Sequence, residues 1–235
     1  MPLQPVRVVG LDADDTLWHN EARFAETHAH FSELLAPFSD HDATEERLLA
    51  VERRNLRLFG YGVKGFVLSM IETAIEVSER RVDAATIHEI VELGKALLDA
   101  PVELLDGVAE TVAALAGTHR LVLVTKGDLF NQEAKISASG LADLFWRIEI
   151  VSEKDPATYE RVLRAHGIDR GEFLMAGNSV RSDVLPVLDI GARAVHVPYT
   201  LTWAMERVTD AELEGRRFPV LDRLADLPAL LAGLD

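Results

Sequence analysis

The sequence predicts an α/β fold: a Rossmann-like parallel sheet flanked by helices, with an α-helical cap subdomain inserted into it. Three features predict this. Short apolar runs of strand length recur through the chain. From residue 106 onward they alternate with stretches of helical spacing. Residues 19 to 100 hold helical patterns with no convincing strand among them.

The first strand is "VRVVGL" (6–11), followed by "RLVLVT" (120–125), "RIEIVS" (147–152), "FLMAG" (173–177) and "ARAVHV" (192–197). Four of these are apolar runs suited to a sheet covered on both faces, whereas "RIEIVS" alternates polar and apolar residues. Between them, "DGVAETVAALAG" places apolar residues at 108, 112 and 115 and stops at Gly117. "DLFNQEAKISASG" closes on Gly140 and "DPATYERVLRAHG" on Gly167 in the same manner. In the inserted region the clearest helices are "ATEERLLAVERRNLRLF" and "VDAATIHEIVELGKALLDA". An ordinary crossover between parallel strands takes about a dozen residues, far fewer than this. The expected division is therefore a core of residues 1–18 and 101–235 and a helical cap of residues 19–100, returning at "APVELLDG".

Composition narrows the function. Against 39 acidic residues stand 24 basic ones, for a formal charge of −15, so nucleic-acid backbones and anionic membranes are not expected partners. With no cysteine, disulfides, thiolate zinc sites and thiol catalysis are excluded. The N-terminus lacks a secretory apolar segment and no run approaches the roughly 18 residues of a membrane helix. A soluble, cytoplasmic protein is expected; the sequence does not specify its oligomeric state.

In an open parallel sheet, ligands bind beyond the carboxyl ends of the strands. After the first strand come Asp12, Ala13, Asp14, Asp15 and Thr16; after the second, Thr125, Lys126, Gly127 and Asp128. "RIEIVS" is followed by Glu153, Lys154 and Asp155, and "FLMAG" by Asn178 through Asp183. Carboxylates held this close repel unless a cation or proton separates them. An oxygen-only set of aspartates and carbonyls suits a hard divalent ion, magnesium where phosphate is handled. Asp12 then has the chemistry of a nucleophile and Asp14 that of an acid and base. Thr125 offers a hydroxyl and Lys154 a cation for the phosphoryl oxygens, and backbone amides from Lys126 onward, near a helix start, can point at the phosphate.

These residues resemble, in order, the four motifs of the haloacid dehalogenase superfamily, phosphatase type, with a helical cap after the first strand. Motif one is "DADDTL", which implies Asp12 as nucleophile and Asp14 as acid/base; motif two is Thr125 of "LVTKGD". Motif three is Lys154 of "SEKDP", and motif four is "GNSVRSD", Gly177 to Asp183, which implies magnesium held with Asn178 and Asp183 beside Asp12 and Asp14. The resemblance spans nearly the whole chain. It implies a small phosphorylated substrate, an aspartyl-phosphate intermediate, and a cap whose residues set substrate choice and whose closure excludes water. Two positions depart from the family pattern. Motif four opens Gly177-Asn178 where Gly-Asp is usual, and Asp15 stands where glycine is common.

Other readings compete. A 2-haloacid dehalogenase uses the same nucleophile on carbon without metal, but that branch lacks the second aspartate. A phosphomutase differs in the acceptor, and a phospho-acceptor module would be about half this length and leave Asp14 without a duty. A binding-only member of the family is a further reading. The bland accounts make Asp12, Asp14 and Asp15 a turn and helix cap before "TLWHNEARF", Lys154 a solvated lysine, and Asn178 and Asp183 caps of the next helix. "FGYGVKGF", with Tyr61 and Lys64, reads as an interhelix turn. His19, His28 and His30 make no metal set, and Trp18 and His19 are weak candidates for a cleft mouth.

Overall fold

A computed structural model describes residues 4–234. The chain divides into two compact units: one contains the chain up to His19, Val102–Lys126 and the chain from Gln132 on, the other Asn20–Pro101 and Gly127–Asn131. Among the described residues no helix is long and apolar enough to cross a membrane.

The first unit is built on five parallel strands, β1 (Val8–Leu11), β2 (Arg120–Lys126), β3 (Arg147–Val151), β4 (Phe173–Gly177) and β5 (Arg193–His196), in the order β3-β2-β1-β4-β5. β1 lies in the middle, with Leu11 level with Leu123 of β2 and with Ala176 of β4. Its four residues are all buried because the sheet is covered on both faces. Val9, Leu11, Leu121, Leu123 and Leu174 pack into one core, and Val8, Val122, Val124, Phe173 and Met175 into the other. β3 alternates in sequence because it is an edge strand, exposed at Arg147 and Ile148 and buried only at Val151.

The second unit contains four helices: α1 (Glu21–Leu35), α2 (His41–Phe59), α3 (Val63–Val77) and α4 (Ala84–Asp99). Each of α2 and α4 starts at an aspartate whose carboxylate accepts a backbone N–H, Asp40 from Ala43 and Asp83 from Thr86. Phe31, Leu35, Leu48, Phe66, Met70, Ala74 and Ile90 form its core. The turn read from "FGYGVKGF" is shorter than expected, since α3 already begins at Val63 and includes Lys64 and Gly65. A Cβ on Gly65 would stand 3.0 Å from the Gly60 carbonyl, so the glycine permits a tight helix entry rather than a loop. His28 pairs with Glu45 at 3.0 Å and stacks on Phe66, a packing role.

Three further helices frame the strand ends: α5 (Val108–Ala116), α6 (Leu129–Ala138) and α7 (Pro156–Ala165). α7 is capped by Asp155, which accepts the Thr158 N–H at 2.7 Å, with Pro156 at the first helical turn. That cap fixes the residue immediately before it, Lys154.

Candidate active site

The crevice at the carboxyl ends of β1, β2 and β4 gathers residues from all four motifs. Asp12 continues β1, its N–H donating to the Ala176 carbonyl at 3.0 Å. Its carboxylate is buried; Oδ2 accepts the Thr16 hydroxyl at 3.0 Å and Oδ1 accepts Lys154 Nζ. Lys154 also donates to Asp183 Oδ1 at 2.6 Å, so one buried ammonium bridges two buried carboxylates. A solvated lysine is therefore not what the structure contains: Lys154 is 4% exposed.

The electrostatics follow from that count of charges. Burial, then the charge of Asp183, push the Asp12 carboxyl up to about 7, while the Lys154 ammonium pulls it down. Burial works against the Lys154 ammonium too, but Asp12 and Asp183 outweigh it and hold its pKa well above the ordinary lysine value. Tyr159 of α7 is buried beside them and donates its hydroxyl to the Ser182 carbonyl at 3.0 Å.

The three N-terminal carboxylates do not cap a helix, since α1 starts only at Glu21. Asp15 is buried with φ +62°, the left-handed conformation that glycine adopts most readily and aspartate tolerates. This explains why glycine is a natural occupant of that position. Asp14 is half-buried. Its Oδ1 accepts Trp18 Nε1 at 2.6 Å and Lys135 Nζ at 2.5 Å, and its Oδ2 accepts Gln132 Nε2 at 3.2 Å. Trp18 is core, 1% exposed, and His19 meets the Tyr199 hydroxyl at 2.7 Å.

Thr125 is buried at the end of β2, with Oγ1 2.6 Å from Gln132 Nε2. The Lys126 side chain turns toward Glu206 at 2.5 Å and the Ser182 hydroxyl at 2.9 Å. Glu206 also accepts the hydroxyls of Ser179 and Ser182, and these partners keep its carboxyl below the usual range despite burial. Motif four is not a simple helix cap. Ser179 is the N-cap, accepting the Ser182 N–H at 3.0 Å, and Asp183 sits one turn on, its Oδ2 accepting the Ser179 N–H at 3.0 Å. Asn178 is tied to β1 through Thr16, whose Oγ1 accepts its N–H at 3.0 Å and lies 3.4 Å from its Oδ1.

For a cation the donors on offer are all oxygen: Asp12, the Asn178 amide oxygen and Asp183. Among the described residues no three of His, Cys, Asp and Glu gather as a metal cluster. Such a sparse set, two carboxylates and one amide oxygen, fits magnesium, which binds through one or two carboxylates and keeps several waters. Asp14 was expected in this set, but three donors already hold its carboxylate. Both Asp183 oxygens already accept hydrogen bonds, which leaves Asn178 the less encumbered of the motif-four pair. Gly177 makes the approach of Asp183 possible, because a Cβ there would lie 2.3 Å from Asp183 Oδ2. Gly177→Ala is expected to displace the Asp183 carboxylate and lower stability by about 1–3 kcal/mol, measured by urea unfolding.

Sequence reasoning missed Gln132, Lys135, Tyr159 and Glu206. Gln132 carried a signal, since with Ile136 it occupies the buried face of α6, where an amide must find partners. Glu206 lies in an irregular segment with no periodicity to expose it.

A family model of haloacid dehalogenase-like hydrolases matches residues 6–191. A haloacid dehalogenase-like family hydrolase from Xanthomonas campestris is 46% identical, with a TM-score of 0.87, over 100% of this chain and 96% of that one. A 2-haloacid dehalogenase from Pseudomonas syringae shares 21% identity at a TM-score of 0.63, over 98% and 100% of the two chains. A predicted phosphoglycolate phosphatase from Haemophilus somnus shares 17% at 0.63, over 97% and 99%. No curated protein matches the chain. The family match over most of the chain, the identity to the Xanthomonas hydrolase and the strand-end site agree: the chain belongs to the haloacid dehalogenase-like hydrolases.

Proposed function

We propose that the protein is a magnesium-dependent phosphatase acting on a small phosphorylated metabolite through an aspartyl-phosphate on Asp12. The observation that carries this reading is the second carboxylate. Asp14 follows Asp12 on the same strand-end loop and is held in place by Trp18, Gln132 and Lys135. Attack on carbon, as in a dehalogenase, gives Asp14 no leaving oxygen to protonate, because halide leaves without a proton. Phosphoryl transfer to water needs one group that gives a proton and then takes one.

In the first step an Asp12 carboxylate oxygen attacks phosphorus in line, the bond from phosphorus to the leaving oxygen breaks, and Asp14 protonates that oxygen. In the second, water attacks phosphorus, gives its proton to Asp14, and the bond to Asp12 breaks. Lys154 and the Thr125 hydroxyl take up charge on the phosphoryl oxygens. Asp12, Asn178 and Asp183 would hold magnesium, which would supply further positive charge there. The Thr16 hydroxyl, shared between Asp12 and Asn178, keeps the two oxygens on one side of the crevice.

A panel of phosphorylated metabolites, assayed for phosphate release with magnesium and with EDTA, tests the reading, with Asp12→Asn as the blank. Magnesium-dependent release lost in the variant is the expected result. Full turnover of 2-haloacids in EDTA would replace the reading with a dehalogenase.

A further inference from the structure

We propose that Gln132 and Lys135 of α6 are positioning residues that aim Asp14, leaving one lone pair of its Oδ2 as the route for the catalytic proton. The inference rests on the phosphatase reading of this site. An ionised carboxylate offers roughly four lone-pair positions, two on each oxygen. Trp18 and Lys135 fill both on Oδ1, and Gln132 takes one on Oδ2. A single position remains, and it belongs to Oδ2.

The orientation of Gln132 follows from its neighbours. Besides Asp14 Oδ2 at 3.2 Å, its nitrogen lies 3.3 Å from the Lys126 carbonyl, and both of these only accept. The amide must therefore present its NH2 to the site. The same NH2 is 2.6 Å from Thr125 Oγ1, so one of its two protons goes there and the other is shared between Asp14 Oδ2 and the Lys126 carbonyl at their longer distances. With Oγ1 accepting, the Thr125 hydroxyl proton is left to donate to a phosphoryl oxygen. One buried amide thus sets both the phosphate donor of β2 and the acid/base of β1. Gln132 and Lys135 are three residues apart on one helix face, and buried Ile136 pins that face to the core. Rotation of Asp14 away from the reacting oxygen would break three hydrogen bonds at once.

The test compares an alkyl phosphate, glycerol 2-phosphate, with p-nitrophenyl phosphate, whose leaving group departs as an anion with no proton. With magnesium present, Lys135→Met and Gln132→Leu are expected to lower kcat/KM for the alkyl ester by about 30-fold or more, and at least about tenfold further than for the aryl ester. Lys135→Arg should recover most of the alkyl rate, since its guanidinium still donates to Oδ1. In magnesium-free protein, hydrogen exchange at the Trp18 indole should quicken by about tenfold in both variants, as Asp14 loses its fixed rotamer. Parallel losses on both esters, or no loss on either, would overturn the proposal while leaving the phosphatase reading intact. A wild-type protein that releases phosphate from neither ester nor from any member of the metabolite panel would remove that reading and this inference with it.

Discussion

Asp12→Asn is expected to abolish phosphate release, by on the order of 10⁴-fold or more, and yet to make the magnesium-free protein more stable at pH 8. The activity loss follows from removal of the nucleophile. The gain in stability follows from the charges around it. Two buried carboxylates share one buried ammonium, so the ionised site carries an excess negative charge that burial makes costly. Asparagine removes that excess and leaves Lys154 paired with Asp183. Its amide oxygen can still accept from Lys154, and its NH2 can donate to Thr16.

The sign of the pH dependence is fixed by the direction of the Asp12 shift. Its carboxyl titrates at about 7 in the folded protein, above the ordinary 3.8. Between those values the folded chain holds a proton that the unfolded chain has lost, so stability falls as pH rises and reaches its floor above about 7. Asparagine does not titrate. Wild type and variant should melt alike near pH 4 in EDTA and diverge above it, with the variant ahead by about 2–4 kcal/mol at pH 8. For a chain of this length that is a rise of about 5–10 °C in Tm. Magnesium should raise the Tm of the wild type by mass action and leave the variant nearly unmoved. Equal melting temperatures at pH 8 in EDTA would show that Asp12 carries no excess charge.

The sheet was legible because its strands are buried on both faces and so read as apolar runs: "FLMAG" is β4 to the residue, and "RLVLVT" misses β2 by one. Site placement followed from the strand ends, since a parallel sheet brings the residues after β1, β2 and β4 to one edge whatever lies between them in sequence. Helix positions were harder. The pattern of "DLFNQEAKISASG" locates α6, but the inward turn of Gln132 toward Thr125 and Asp14 depends on how α6 packs, which periodicity leaves open. The Lys126 side chain is the same lesson from the other side. The sequence offers a phosphate the backbone amides from Lys126 onward and leaves the side chain unplaced, and it is Glu206, eighty residues on, that pairs with its ammonium at 2.5 Å.

Lys154→Met should move stability in the opposite direction from Asp12→Asn, although the two residues are partners in one ion pair. Removing the ammonium leaves Asp12 and Asp183 buried with no counter-charge, and breaking a buried pair from one side costs about 3–5 kcal/mol. A solvated lysine would give a change within about 0.5 kcal/mol. The loss should also depend on pH more steeply than in the wild type, because the Lys154 charge is what pulls the Asp12 carboxyl down. In EDTA the loss should already show near pH 4, where the Lys154–Asp183 pair is gone, and grow throughout the rise to pH 8 as Asp12 gives up its proton. The double variant supplies the decisive comparison. If the destabilisation comes from the uncompensated pair of carboxylates, adding Asp12→Asn to Lys154→Met should restore a large part of it, giving a coupling of about 1–3 kcal/mol. Additive effects of the two substitutions would mean that Lys154 supports the fold through its alkyl chain, and that its charge belongs to catalysis alone.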